Sequence, residues 1–439
     1  MGKWLWLALF GCGVANADML DALQAYEKQQ FAEAKRQFEQ LLPLGNELAT
    51  FNLGAMAYQG EGQSPDLVKA IAHFMLAAEL NHLKAQEILN NLVSRATTQQ
   101  LELATLQFNE LKSRVVIIPT DLENQSRNAD APMLIKRVAP NYPKNAARDN
   151  IFGYVVLRFL VDERGEVAAV DTLDAFPQNT FEKSAIHAIK KWRYAESAKK
   201  HLLSVRLDYS LEGNIKISKV EKSIADNKIW ENAVLGAPHY QFAIGMLLSL
   251  LEIQSGNSFW FDPELPLSRS PDFTIYEKRA PLRPGFDGFW GSAIVKVTSD
   301  GTITEQIKAD FAAQSKLTSL IGQKLIGNVE ADVYRISRYP DIGGKRVIIK
   351  PSLRVTRSMS SKFWWEQAAK NGSLEAQRVL AAFQPQWEAY LLAQKDAQVM
   401  AWTGTRLILE GQREQGMLLL EQAIAKNYQP AKEMKQQFM

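Results

Sequence analysis

Apolar positions change their period along this chain. From Asp18 to about Leu111 they recur at helical intervals, as at Ala22, Tyr26, Phe31, Ala34 and Phe38, with small alanines where two helices would close on each other. From Tyr154 to Val161 and from Val167 to Leu173 they alternate with period two, and Asp162-Glu163-Arg164-Gly165 between these runs has the composition of a hairpin turn. Helical spacing returns from Phe181 to Trp192, and Leu203 to Leu211 alternates again. The order strand, strand, helix, strand predicts a two-layer domain, a small antiparallel sheet with one helix across it. A fainter version follows. Gly291–Val297 and Thr302–Lys308 alternate around Ser299-Asp300-Gly301, Ala312–Ile326 has helical spacing, and Arg346–Val355 reads as a last strand. An extra strand-like piece intervenes at Ala331–Ser337, and Arg338-Tyr339-Pro340 falls near the place that Trp192-Arg193-Tyr194 takes in the first. Residues 284–357 are therefore expected to be a second, divergent copy of the sheet domain.

The helical blocks carry small residues at fixed offsets. Leu53-Gly54 falls in one helix, Gly60 and Gly62 in the turn after it, Ala70, Ala77 and Ala78 in a second helix, and Ala85 opens the next unit. These residues resemble a Sel-one-like repeat, a relative of the tetratricopeptide repeat. The resemblance implies helical hairpins that need neighbours to bury their apolar faces. The signature returns at Trp365, Ala368, Ala369, Gly372, Ala376 and Leu380, then at Gly404, Gly411, Ala423 and Ala431, with a trace over Gly236–Leu248. The expected architecture is α+β and multidomain: a leader over 1–17, helical repeats over 18–112, a linker over 113–131 and a sheet domain over 132–218. A helical and irregular segment over 219–283, the second copy over 284–357 and further helical repeats over 358–439 complete it. A chain of 439 residues is long enough for several such domains.

Composition adds compartment. Lys3, the apolar stretch Trp4–Val14 and the small-x-small end Ala15-Asn16-Ala17 have the three parts of a secretory leader, which predicts cleavage before Asp18 and export to the periplasm. The single cysteine, Cys12, lies inside that stretch, so the mature chain would hold no disulfide. Leu9-Phe10-Gly11-Cys12 loosely resembles a lipobox, and lipid anchoring through Cys12 is the alternative processing. The apolar run Phe242–Ile253 is broken by Gly245 and Glu252 and reads as a buried helix. Charge is nearly balanced at +3, which gives no reason to expect nucleic acid as a partner.

The segment Pro132–Ile217 carries a more specific pattern. Pro140-Asn141-Tyr142-Pro143 with Ala146, Gly153 before the first strand, Gly165 in the turn, Phe181, Ala185, Ala188 and Ile189 on one helix side, and the ending Lys191-Trp192-Arg193-Tyr194 occur together. Along this length the chain resembles the TonB C-terminal domain. The resemblance implies an exposed sheet edge to which a short extended segment of an outer-membrane receptor adds as another strand, with main-chain hydrogen bonds as the source of affinity. It points to Leu203–Leu211 as that edge, and to Pro140, Tyr142, Pro143, Leu203, Val205, Leu207 and Tyr209 as partner-binding residues. Two departures stand out. The resemblance does not extend to the membrane helix and Pro-rich spacer of energy-transducing members, and Ala139 occupies a position where well-known members have Gln.

Chemistry is not signalled. The histidines at 73, 82, 187, 201 and 239 show no metal-ligand spacing, no Gly-rich phosphate loop or nucleophile elbow occurs, and Asp162, Glu163 and Asp171 read as solvated turn charges. No catalytic residue, cofactor, metal or small-molecule substrate is expected. Lys190, Lys191, Arg193, Lys199, Lys200 and Arg206 form a local basic cluster that would suit an anionic surface such as peptidoglycan, or complement a helix end. The leading expectation is a non-enzymatic adaptor among envelope proteins, with TonB-dependent outer-membrane receptors as the implied partners. The alternative is a structural scaffold on peptidoglycan.

Overall fold

The computed structural model describes residues 18–118, 132–211, 217–254, 259–261, 282–312, 315–338, 348–351, 353–355 and 359–439. The leader and Cys12, the linker residues 119–131, and Tyr339 and Pro340 lie outside the described residues. The helices in chain order begin with α1 (Met19–Glu27), α2 (Phe31–Leu41), α3 (Glu47–Gln59), α4 (Leu67–Glu79), α5 (Ala85–Val93) and α6 (Thr98–Lys112). There follow β1 (Leu134–Lys136), α7 (Lys144–Arg148), β2 (Gly153–Val161), β3 (Val167–Phe176), α8 (Glu182–Ile189), β4 (Arg193–Tyr194) and β5 (His201–Tyr209). Next come α9 (Ile217–Asp226), α10 (Ile229–Val234), α11 (Pro238–Gln254), β6 (Phe259–Phe261), β7 (Arg283–Pro284), β8 (Gly291–Val297) and β9 (Ile303–Phe311). Then β10 (Leu325–Ile326), β11 (Val333–Arg338), β12 (Ile348–Pro351) and β13 (Leu353–Val355) precede α12 (Ser361–Lys370) and α13 (Leu374–Ala381). The last helices are α14 (Pro385–Ala393), α15 (Ala397–Leu409), α16 (Arg413–Ala425) and α17 (Gln429–Gln436). The architecture is α+β, and the chain forms two compact units, one of residues 1–213, 223–244 and 364–439 and one of residues 214–222 and 245–363.

In the first unit, helices begin where a short polar side chain can satisfy a free amide. Asn46, Asp66, Ser373 and Asp396 each accept from the backbone N–H three residues on. Hairpins close through small residues: Gly54 and Gly404 hold the same position in two 13-residue helices, and each faces the following helix. A Cβ on Gly404 would lie 2.7 Å from the Gly416 carbonyl oxygen and one on Gly416 would lie 2.4 Å from that of Gly404, so α15 and α16 touch backbone to backbone. Distant stretches join through buried amides. Asn46 Nδ2 donates to Asn371 Oδ1 at 2.7 Å and Asn371 Nδ2 to Gln241 Oε1 at 2.7 Å, which ties α3, α11 and α12 together.

The sheet of this unit has the antiparallel order β3-β2-β5, beside a two-stranded ribbon of β1 and β4. Val155, Leu157, Phe159 and Val161 on one face pack with Phe181, Ala185, Ile189 and Trp192 of the α8 segment. The other face is covered as well. Leu160 and Ala169 pack with Met400, Ala401, Trp402 and Leu420 of α15 and α16. The expected two layers are therefore three, and the cause lies in β2 itself, where Tyr154, Val156 and Leu160 put apolar surface on the face that strict alternation would have left polar.

The second unit pairs its strands in a related way. Its four-stranded antiparallel sheet has the order β12-β11-β8-β9, and β7 pairs with β10. Residues 315–324 are not helical, against the helix expected over Ala312–Ile326. Gly322 has φ 81°, Leu320 alone among 315–324 is fully buried, and the Ser315 hydroxyl donates to the Leu317 carbonyl, so the apolar residues there plug the core from an irregular loop. The strand-like piece expected over Ala331–Ser337 is the strand Val333–Arg338, which pairs with β8. The expected last strand Arg346–Val355 is split, with Ile348–Pro351 antiparallel to β11 and Leu353–Val355 parallel to β6. Leu325 N–H bonds to Gly301 O as Tyr194 N–H bonds to Gly165 O, each at 2.9 Å, so it is Lys324-Leu325 and not Arg338 that takes the hydrogen-bonding place of Arg193-Tyr194.

Candidate functional site

The two edges of the β3-β2-β5 sheet differ. Helices α8, α13 and α17 pack against β3, and Gln398 Nε2 of α15 donates to the Thr172 main-chain carbonyl at 2.8 Å, capping that edge. β5 pairs with β2 along its whole length, and among the described residues no other strand pairs with it. The turn fixes which groups of β5 face outward. Asp162 N–H donates to Glu166 O at 2.9 Å, toward the β3 arm, and main-chain groups alternate sides along a strand. Val161, Phe159, Leu157, Val155 and Gly153 therefore direct theirs to His201, Leu203, Val205, Leu207 and Tyr209, their partners in register. Leu202, Ser204, Arg206 and Asp208 turn theirs outward.

This divides the expected site residues. Leu203, Val205, Leu207 and Tyr209 aim their side chains into the α8 core and their main-chain groups at β2, so the groups offered along the edge belong to the residues between them. Tyr142 is half-buried, with its hydroxyl on the Ile151 carbonyl at 2.5 Å and its ring edge-on to Phe181 and Tyr209. It braces the end of β5. Pro140 and Pro143 flank it, half-buried, and Pro143 precedes the first turn of α7. Trp192 is 3% exposed and donates its Nε1–H to the Val138 carbonyl at 2.8 Å, which pins the segment before Pro140 to the helix end.

Across the outer face, charged groups form two networks that the sequence reading missed. The first runs along the edge. Arg206 lies 3.7 Å from the Tyr154 ring centroid and bonds to Asp208 at 2.8 Å, while the Tyr154 hydroxyl donates to Asp174 at 2.6 Å. Burial raises the Asp174 carboxyl to about 6 against the pull of Tyr154 and Arg206. The second network holds the C-terminal helices. Asp171 Oδ2 accepts from Trp402 Nε1 at 2.8 Å, from Gln398 Nε2 at 2.9 Å and from the Tyr428 hydroxyl, and the Arg158 guanidinium lies over the Trp402 ring. Asp171 is thus an anchor rather than a solvated turn charge. Asp162 is buried, and its Oδ1 accepts from the Arg164 and Glu166 amides as the turn around Gly165, φ 77°, requires. Glu163 is exposed and pairs with Lys200.

The basic cluster is largely neutralised: Lys190 pairs with Glu433, Arg193 with Glu166, Lys200 with Glu163 and Arg206 with Asp208. Among the described residues no group of His, Cys, Asp and Glu is arranged to hold a metal ion. His73 is buried in α4, and burial lowers its ring to about 4, so it is neutral at ordinary pH. No described helix is long and apolar enough to cross a membrane.

Comparison with known proteins agrees on one region. Residues 138–214 match the family model for the Gram-negative bacterial TonB protein C-terminal. Protein TonB of Yersinia enterocolitica is 35% identical over 75 residues, 17% of this chain and 29% of the relative. Protein TonB of Salmonella typhimurium is 35% identical over 86 residues, 20% of this chain and 36% of the relative. That of Escherichia coli is 32% identical over 89 residues, 20% of this chain and 37% of the relative. The chain thus spans about a third of the length of these relatives. The solution structure of the Pseudomonas aeruginosa TonB C-terminal domain is 21% identical and matches along its full length, over 21% of this chain, with a TM-score of 0.19. A structure of the TonB2 protein of Vibrio anguillarum is 25% identical and is covered over 94% of its length and 21% of this chain, with a TM-score of 0.17.

Proposed function

We propose that this chain is a TonB-like adaptor of the Gram-negative envelope, exported to the periplasm, whose β5 edge receives an extended segment of an outer-membrane receptor. The observation that carries the reading is the asymmetry of the sheet. β3 is capped by Gln398, whereas β5 turns the amides of Ser204, Arg206 and Asp208 away from its only strand partner among the described residues. An added strand would gain main-chain hydrogen bonds along that edge, with side-chain choice secondary. The protein acts by binding and not by catalysis. The helical blocks are read as Sel-one-like hairpins that bind other envelope proteins, supported by the shared placing of Gly54 and Gly404. Residues 284–357 are read as a second, divergent copy of the sheet domain.

The test uses one position. Ser204 is exposed and its amide faces outward, so Ser204→Pro removes a donor without touching the β2 ladder, and Ser204→Ala keeps it. Full-length wild type and Ser204→Ala should capture TonB-dependent receptors from detergent-solubilised outer membranes, with slowed amide exchange at Ser204, Arg206 and Asp208, and folded Ser204→Pro should not. Equal capture by Ser204→Pro would move the site to the helical repeats. Retention by murein sacculi alone would favour the scaffold reading, against which the paired state of the basic cluster already weighs.

A further inference from the structure

The two sheets can be superposed residue by residue on their central strands. Gly153 and Gly291 both lie against the neighbouring strand, where a Cβ would meet the Phe176 carbonyl oxygen at 1.8 Å and that of Asp310 at 2.1 Å. With these glycines equated, Val155, Leu157 and Phe159 coincide with Ala293, Val295 and Val297, the core residues of each sheet. The first irregularity also coincides, between Val156 and Leu157 against β3 and between Ile294 and Val295 against β9. Gly165 and Gly301 share φ 77° and 87°, and the bridges Glu166 to Arg193 and Thr302 to Lys324 correspond. On this alignment β11 is the counterpart of β5, with Arg335 at the place of Arg206 and Ile336 at that of Leu207.

The difference lies at the edge. After β5 the next described element is the helix α9, whereas after β11 the next is β12, which pairs with the free side of β11. Val297 N–H donates to Asp332 O at 2.8 Å, so the alternation sends the main-chain groups of Tyr334 and Ile336 to β8 and those of Arg335 and Ser337 outward. Lys350 and Ile348 stand opposite these two. We infer that β12 is an intramolecular occupant of a second strand-receiving edge: it fills along β11 the position that no described strand fills along β5, and so keeps the second sheet from taking a partner strand. A tethered strand competes at high effective concentration, so an external segment of similar affinity is excluded while β12 is in place. The occupant runs antiparallel to β11, with Ile349 opposite Ile336. This rests on reading the second unit as a copy of the first, and it does not require that β5 bind a receptor.

The test blocks one edge and opens the other in the full chain. In a Ser204→Pro background, Ile348→Pro with Lys350→Pro removes both donors that face β11, and the matching Ala pair keeps them. The probe is a labelled synthetic peptide of residues 346–355, Arg-Val-Ile-Ile-Lys-Pro-Ser-Leu-Arg-Val. The Pro pair should gain one peptide site per chain, with protection of the Arg335 and Ser337 amides, while the Ala pair and the parent gain none. A folded Pro pair that takes no peptide overturns the inference. If the Pro pair does not fold, amide exchange of the parent decides. Exchange of Arg335 and Ser337 through a local opening, faster than Ala293 and Val295, supports a releasable occupant. Exchange of all four together, only with loss of the whole sheet, overturns it. Peptide binding to the chain with Ser204 intact reports on β5 separately.

Discussion

Replacing Asp171 by Ala should detach the C-terminal helices from the sheet. One carboxylate oxygen accepts from Trp402, Gln398 and Tyr428, which come from α15 and the turn before α17, and Arg158 stacks on the same indole. The Tyr428 hydroxyl is held well above its ordinary range, by burial first and by the Asp171 charge next, so it stays a donor at every working pH. Each donor stranded in a part-buried site costs about 1–3 kcal/mol, and Arg158 would lose one of its two nearby opposite charges, keeping Glu388. Because the site is part-buried and the donors can relax together, the loss should fall at about 2–4 kcal/mol, below the sum for three stranded donors. Asp171→Asn keeps an acceptor but no charge and should cost roughly half as much. Urea unfolding followed by tryptophan fluorescence gives the magnitude, and amide exchange over α15 and α17 shows where the structure opens. A loss for Asp171→Ala under about 0.5 kcal/mol, the scale of an ordinary surface change, would refute the argument.

Two further outcomes follow from single residues. Trp192→Ala empties the junction of α8, β2 and the Val138 segment and leaves the Val138 carbonyl without its indole donor, so the first unit should lose about 3–5 kcal/mol by chemical denaturation, and an unchanged midpoint would show that the junction is not part of the core. Asp174 is 7% exposed and its folded value of about 6 lies above the unfolded 3.8, so the folded state binds the extra proton and stability falls as pH rises from about 4 to 6. Asp174→Asn should therefore match wild type near pH 3.5 and exceed it by about 3 kcal/mol at pH 7.5, and a gap that does not change with pH would sink the assignment.

Local signals in the sequence carried the first sheet well. Asp162-Glu163-Arg164-Gly165 closes the β2–β3 hairpin, and Trp192 is buried at the end of the covering helix segment. What failed was anything set by a partner far along the chain. Asp171 looks like a turn charge until Trp402, Gln398 and Tyr428 are brought beside it from more than two hundred residues away. The clue to this was present in Tyr154, Val156 and Leu160, apolar at the parity that a one-sided sheet leaves polar. Over Ala312–Ile326 the periodicity misled, since apolar residues at helical intervals also occur in a loop that drops Leu320 into a core, and Gly322 at φ 81° is a better predictor of the break. The resemblance pointed to Leu203, Val205, Leu207 and Tyr209, but a strand spends its main-chain groups by parity, and parity assigned the outward ones to Leu202, Ser204, Arg206 and Asp208.

On the proposed reading, that parity also bears on which strands the β5 edge would accept. Exposed strands are commonly blunted by charge, and β5 places Arg206 and Asp208 among its outward residues. Arg206 is not a loose surface charge, because its guanidinium lies on Tyr154 and Tyr154 is bonded to Asp174. The edge residue is thereby coupled through the central strand to the far strand of the sheet. An incoming segment must accept a fixed cation and a carboxylate in register, a selective element on top of a generic ladder. Like charges directly opposite are unfavourable in a sheet. On the proposed reading, a partner segment with an acidic residue at the position facing Arg206 should therefore bind β5 better than one with a basic residue there, and equal binding of two such peptides would show that Arg206 does not select the strand.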